Sequence, residues 1–183
     1  MRYNNIMNAV LGVLVLVIII AVVLIVGVFL VTGLTGAPYV PTLRDKLPKA
    51  FSELYKMSEK DLLIDLGSGD GGILEEANKT GAKCLGIEIN PILALMANWR
   101  FRKNRKVKVK CRNFYTFQFP TDTTVIYAFA ESLHIRSIYR KIQAEANRLD
   151  KTLYFISNAF DVPEVTEEKK VGAFYLYKIE PED

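Results

Sequence analysis

The chain has 183 residues, 50% of them hydrophobic, with 24 bases against 20 acids and a formal net charge of +4. One histidine and two cysteines exclude a zinc site built on the usual ligand spacings. Cys84 and Cys111 fall in apparent strands and read as free thiols of a reducing compartment.

The first element is apolar throughout. Ala9 to Val31 holds 23 residues without a polar or charged side chain. As a helix this stretch spans roughly 34 Å, enough for the hydrocarbon core of a bilayer. It is apolar on all sides, unlike an amphipathic core helix. It is also longer than the h-region of a cleaved signal peptide, and Arg2 is the only basic side chain before it. Residues 1–34 are therefore read as a transmembrane anchor. Arg44, Lys46, Lys49 and Lys56 follow the span. By the positive-inside rule this predicts a single-pass protein of the cell membrane with its C-terminal domain on the cytoplasmic face. "GLTGAPYVPT", Gly33 to Thr42, reads as a linker whose glycines and prolines end the helix. Residues 35–60 are assigned to the linker and a pre-sheet helix, and 61–183 to one α/β domain. The roughly 145 residues after the anchor suffice for one core and not two.

The remaining elements alternate. A helix starts near Pro48 and carries Phe51, Leu54 and Tyr55 on one face. "DLLIDLG" (61–67) is a short apolar strand, and Ile73 to Thr80 a helix closed by Gly81. "AKCLGIEI" (82–89) is a second strand. A helix over 90–102 takes Asn90 as N-cap and Pro91 at its first position. Residues 106–111 alternate as a third strand, 123–129 form a fourth and 152–160 a fifth. Ser132 to Leu149 is a helix with Ile135, Ile138, Tyr139 and Ile142 on one stripe. A last strand covers 172–180. This order predicts a doubly wound, mostly parallel sheet in which the last strand forms an antiparallel edge.

The chemistry concentrates at "DLGSGDGG", Asp65 to Gly72, between the first strand and its helix. Gly67, Gly69 and Gly71 permit positive φ and close backbone approach. Amides at the helix start suit an anion or carboxylate. Glu88 ends the next strand, where a carboxylate can bind two ribose hydroxyls. The loop fits both a nicotinamide dinucleotide and S-adenosylmethionine. A dinucleotide enzyme normally needs a further substrate domain, and no chain is left for one. Asp65, two residues before the first glycine, suits the ammonium and sulfonium of S-adenosylmethionine.

Asp65, Gly67, Gly69, Gly71 and Glu88 resemble motif I and the acidic ribose ligand of class I S-adenosylmethionine-dependent methyltransferases. The anchor, "YVPT" (Tyr39 to Thr42), "DLGSGDG", "GIEINP" (Gly86 to Pro91) and "SNAF" (Ser157 to Phe160) together are similar to one subfamily. That subfamily comprises the membrane-associated lysine methyltransferases acting on the ATP synthase c-subunit and the adenine nucleotide translocase. The resemblance implies a seven-strand Rossmann-like sheet with an antiparallel terminal strand behind one transmembrane helix. It implies S-adenosyl-L-methionine as cofactor, held by Asp65, Gly67, Ser68, Gly69, Gly71, Glu88 and Asn113, with Tyr39 and Thr42 near the pocket. Asn113 stands where many relatives have an acid that contacts the adenine. "AFAES" (Ala128 to Ser132) lacks the N-P-P-Y of amide and base methyltransferases, which argues against DNA, glutamine and many RNA substrates.

Methyl transfer to an amine needs positioning and a deprotonated nucleophile. A lysine loses its proton at about pH 10.4 unless its surroundings lower that value. Glu131, after the fourth strand, and Tyr127 are the candidates to orient the amine; each also suits a plain structural role, and His134 reads as a surface residue. Eight bases and no acid lie between Arg100 and Arg112. They fit a lysine-guarded edge strand, anionic lipid or, less well, RNA. Trp99 beside the run fits either core or interface. The expected function is methylation of a lysine on a membrane protein. The alternatives are a lipid or quinone-like acceptor, or a non-catalytic S-adenosylmethionine-binding module docked on a membrane complex.

Overall fold

The computed structural model of the chain describes residues 2–35, 47–129 and 132–182. The chain divides into two compact units, Met1–Pro38 and Tyr39–Asp183. The described residues of the first form one helix, α1 (Arg2–Thr35). Its segment Val10–Gly27 has a mean hydropathy of 3.5, and none of it is buried within the protein. By length and composition it can cross a membrane. The helix runs through Gly33, where the sequence predicts a break. One internal glycine costs only about 1 kcal/mol relative to alanine, too little to end so long an apolar helix. The rest of the predicted linker, with Tyr39 and Thr42, lies outside the described residues.

The second unit opens with α2 (Leu47–Lys49), which passes into a π-helical turn, Ala50–Leu54. There follow β1 (Leu62–Leu66), α3 (Gly72–Asn78), β2 (Lys83–Glu88), α4 (Pro91–Arg100) and β3 (Val107–Cys111). The chain closes with β4 (Val125–Phe129), α5 (Ser132–Leu149), β5 (Leu153–Asn158), β6 (Lys169–Val171) and β7 (Phe174–Ile179). The seven strands form one sheet in the order β3-β2-β1-β4-β5-β7-β6. β1 pairs parallel with β2 and β4, β2 with β3, and β4 with β5; β7 runs antiparallel to both β5 and β6. β7 is antiparallel as expected, but it lies inside the sheet, and β6 takes the edge. The sequence pattern shows no strand there because β6 has three residues and a charged sequence.

The opposite edge is β3, where Val107 and Val109 are buried and Lys108 and Lys110 exposed. Lysines on such an edge oppose pairing with another strand. One sheet face carries Leu63, Cys84, Val109, Tyr127 and Ile156 against Phe51 of the π-helical turn, Leu74 of α3 and Ala94 and Ala97 of α4. The other carries Ile64, Ile87, Ile126 and Phe155 against Ile135, Ile138 and Ile142 of α5. Strand order reverses between β1 and β4, and in open α/β sheets ligands bind beyond the C-terminal strand ends at such a point.

One ion cluster ties α5 down. The Glu145 carboxylate, 3% exposed, accepts from Lys141 Nζ at 2.6 Å, from the Phe119 amide at 3.1 Å and from Arg148 Nε at 2.9 Å. Burial alone would raise its pKa, but these hydrogen bonds outweigh it and hold the carboxyl below its usual value. Its contribution to stability is therefore present above the ordinary carboxylate range and is lost as pH falls through the lowered folded value. Glu145→Ala should lower stability by about 2–3 kcal/mol in urea unfolding at neutral pH. The gap should close in strong acid, and a constant gap would contradict this account.

Candidate functional site

β1 is buried along its whole length and delivers its loop to the C-terminal side of the sheet at the strand-order reversal. Gly67, Gly69 and Gly71 have φ of 83°, 53° and 85°. Three left-handed residues within five positions explain the glycines. Their surroundings differ. A side chain on Gly71 would strike the ring of Phe101, so Gly71 serves packing. Among the described residues, a Cβ on Gly67 would meet nothing within 4 Å, so its backbone borders space that they leave open. The Gly67 amide donates to Ile87 O at 2.8 Å, tying the loop to β2. Gly86 lies under the loop; any side chain there would collide with Ser68 and Leu74.

Glu88 is 6% exposed, and both of its oxygens are engaged. Oε2 accepts from the Gly69 amide at 2.8 Å and Oε1 from the Asn90 amide at 2.7 Å. A carboxylate has about four acceptor positions, so each oxygen retains one. Asn90 caps α4, its Oδ1 accepting from the Ile92 amide at 2.9 Å, with Pro91 at the first helical position. The far end of α4 also reaches the loop. Arg100 pairs with Asp70 at 3.2 Å and with Glu75.

Asp65 is 2% exposed, and its Oδ2 has no hydrogen-bond partner among the described residues; the same holds for Ser68 Oγ. Burial, then the charges of Glu88 and Asp70, push the Asp65 carboxyl well above its usual value. Burial and the neighbouring Asp65 also push the Cys84 thiol up to about 12. A buried acid facing two other acids is a place prepared for positive charge or a hydrogen-bond donor.

Tyr127 pairs in register with Asp65 across β1 and β4. It is 1% exposed, its ring meets Phe51, and its hydroxyl accepts from Asn158 Nδ2 at 2.9 Å. Asn158 lies within "SNAF", and a polar residue ending an apolar strand is the sequence signal for this pair. Asn113 follows β3 and is exposed; its Oδ1 accepts from the Tyr115 amide at 2.9 Å, closing its own turn. His134 is exposed on α5. The structure thus gathers Asp65, Gly67, Ser68, Gly69, Gly71 and Glu88 at one end of β1 and β2, with Tyr127 beside Asp65. Tyr39, Thr42 and Glu131 lie outside the described residues.

The family described as the ANTKMT methyltransferase domain matches residues 65–169. A lysine N-methyltransferase of the ATP synthase c-subunit, from Caenorhabditis elegans, is 32% identical over 105 residues, covering 52% of this chain and 55% of that protein. A protein-lysine N-methyltransferase of Saccharolobus islandicus is 44% identical over 55 residues, covering 29% of this chain and 34% of that protein. The chain thus spans about half or less of the length of these curated relatives. An RNA methyltransferase from Salinibacter ruber, solved with S-adenosyl-L-homocysteine, superposes with a TM-score of 0.67 at 25% identity, over 79% of this chain and 96% of that one.

The raised pKa of Asp65 carries a sign. A carboxyl whose folded pKa is raised is at its least costly below the ordinary carboxylate range, and the penalty grows as pH rises through the raised value. Asp65→Asn should therefore raise the melting temperature of the ligand-free protein at neutral pH. The advantage should shrink on acidification, as thermal scans across pH would show. A variant less stable than the wild type at neutral pH would mean that Asp65 is not held against its own charge.

Proposed function

The chain belongs to the ANTKMT methyltransferase domain family, and on that premise we propose that it is a membrane-anchored, S-adenosylmethionine-dependent methyltransferase acting on a lysine of a membrane protein. The observation that carries the cofactor assignment is the buried Asp65 carboxylate, unpartnered among the described residues, beside the side of Gly67 that those residues leave open. The residues fit S-adenosylmethionine: its ammonium and sulfonium would offset an acid cluster that has no cation at Asp65 among the described residues. Gly67 and Gly69 let the backbone approach the ligand. Glu88 takes the ribose hydroxyls with its two remaining acceptor positions while still holding the loop. Asn113 is assigned to the adenine, and the resemblance adds Tyr39 and Thr42 to the cofactor-binding set.

Bound S-adenosylmethionine supplies an electrophilic methyl on a sulfonium, open to in-line attack by a neutral amine. The protein's part is positioning. Tyr127, fixed by Asn158 and Phe51, and Glu131 orient the incoming amine. Apolar surroundings would favour its neutral form. The lysine acceptor is supported by the names of the Caenorhabditis and Saccharolobus relatives. The membrane setting is supported by the length and composition of α1. In this reading residues 1–34 anchor the chain, residues 35–60 link it and residues 61–183 carry the chemistry on the cytoplasmic face.

Tritiated S-adenosylmethionine incubated with the full chain and native membranes should label protein, at lysine. Label in the lipid fraction would point to a small-molecule acceptor, and cofactor binding without any labelling to a non-catalytic module. Calorimetry should find that Glu88→Ala binds S-adenosylmethionine roughly ten- to hundredfold more weakly, the loss of charge-assisted hydrogen bonds. Asp65→Asn should weaken binding too, although the same change should stabilise the ligand-free protein. Unchanged affinity in both variants would remove the acids from the cofactor site.

A further inference from the structure

α4 is apolar on two opposite sides. Its inner side, Ala94 and Ala97, is buried in the core. Its outer side presents Ile92, Leu95, Met96 and Trp99, which are 45%, 70%, 54% and 68% exposed. These four residues follow the i, i+3, i+4, i+7 spacing of one helical stripe. Ile89, at the end of β2, extends the patch and is 45% exposed. Large apolar side chains scattered singly over a surface are ordinary, but a contiguous stripe marks a contact surface.

The charge around the stripe has one sign. No acid occurs from Ile89 to Thr121, whereas eight bases do. Arg102 lies over the Trp99 ring at 4.3 Å and donates to Trp99 O, and Lys103 follows it, both exposed. Arg112 stands at the Ile89 end, beside Cys111, whose thiol contacts Ile89 O. Among the described residues, no acid forms an ion pair with Arg102, Lys103, Arg105 or Arg112. Arg100 is the base of this run that is consumed internally.

We infer that the outer side of α4 lies on an anionic lipid surface. Its apolar stripe would sit at the boundary of headgroups and acyl chains, and its bases among the phosphates. Aliphatic side chains above a basic rim match the amphipathic character of interfacial helices, and tryptophan with arginine suits headgroup depth. RNA fits less well: Ile92, Leu95 and Met96 offer no ring on which a base can stack. A second copy of the chain would bring another set of bases to the same basic surface. The inference rests on the membrane setting proposed above and deepens it. Ile89 adjoins Glu88, so seating α4 brings the C-terminal edge of β2, and with it the cofactor loop, to the level of the headgroups.

Trp99 is the single tryptophan of the chain, so its fluorescence reports on this surface alone. The test uses the full chain reconstituted with vesicles of phosphatidylcholine, with or without phosphatidylglycerol, their acyl chains brominated. Flotation in high salt reads the α1 anchor separately. With phosphatidylglycerol present, Trp99 emission should shift to shorter wavelength and be quenched by the brominated chains. Quenching should weaken without phosphatidylglycerol or in high salt. Lys103→Glu with Arg105→Glu should reduce it to the level seen in phosphatidylcholine alone. Leu95→Ser with Met96→Ser, two exposed positions that leave the core intact, should abolish it. A chain that floats while Trp99 remains open to aqueous iodide and unquenched by lipid would overturn the α4 inference and leave the anchor standing. Loss of flotation with lipid quenching retained at low salt would overturn the anchor and leave the α4 surface standing. A wavelength shift that needs added RNA, or that follows protein concentration in lipid-free detergent, would overturn the lipid assignment.

Discussion

The site depends on one arrangement: two buried carboxylates at neighbouring strand ends that are satisfied in different ways. Glu88 takes a backbone amide on each oxygen, from Gly69 and from Asn90. Asp65 keeps an oxygen without a partner among the described residues. Burying a charge without compensation is expensive, and a protein in that position shifts the pKa or recruits a cation. Asp65 does the first in the ligand-free state. Binding a positively charged ligand would supply the second. The left-handed glycines, the missing side chain at Gly86 and the cap at Asn90 all let the loop settle over this pair.

The part of the fold that positions the site is legible in the sequence because local chemistry and tertiary demand agree there. Asn90 followed by Pro91 starts a helix by capping and by a preset φ, and α4 begins at Pro91. Alternating valine and lysine across 107–110 gives a half-buried strand, and its edge position follows from the same lysines. Where the two disagree, the pattern is silent. β6 is three residues of edge pairing with no apolar signal, formed only because β7 offers it a partner. Gly33 looks like a helix stop, yet the apolar run before it propagates through.

The site is legible in its glycines and acids and not in its connections. Spacing indicates that Glu88 follows a strand; it cannot indicate that the carboxylate would hold both the loop and the α4 cap. The hydrogen bond between Tyr127 and Asn158 joins residues on two strands 31 positions apart, a separation no periodicity encodes. The stripe on α4 is hidden for a related reason. Ile92, Leu95, Met96 and Trp99 have the composition of a core face, and only the placement of Ala94 and Ala97 against the sheet shows which side is buried. The basic run likewise divides only in three dimensions: Arg100 braces the loop, Lys108 and Lys110 guard the edge, and Arg102 covers Trp99.

α4 and the glycine loop are joined at both ends of the helix. At its start, Glu88 bridges the Gly69 and Asn90 amides; at its finish, Phe101 packs on Gly71 while Arg100 holds Asp70 and Glu75. The loop therefore has little freedom of its own. To open, it must shed contacts that also fix the helix, so the two form one cooperative unit with a shared opening free energy. The amides of Gly69 and Asn90, 21 positions apart in the chain, should then exchange in one opening event in native-state hydrogen exchange, and a load borne by the outer face of α4 would reach the loop through these shared contacts.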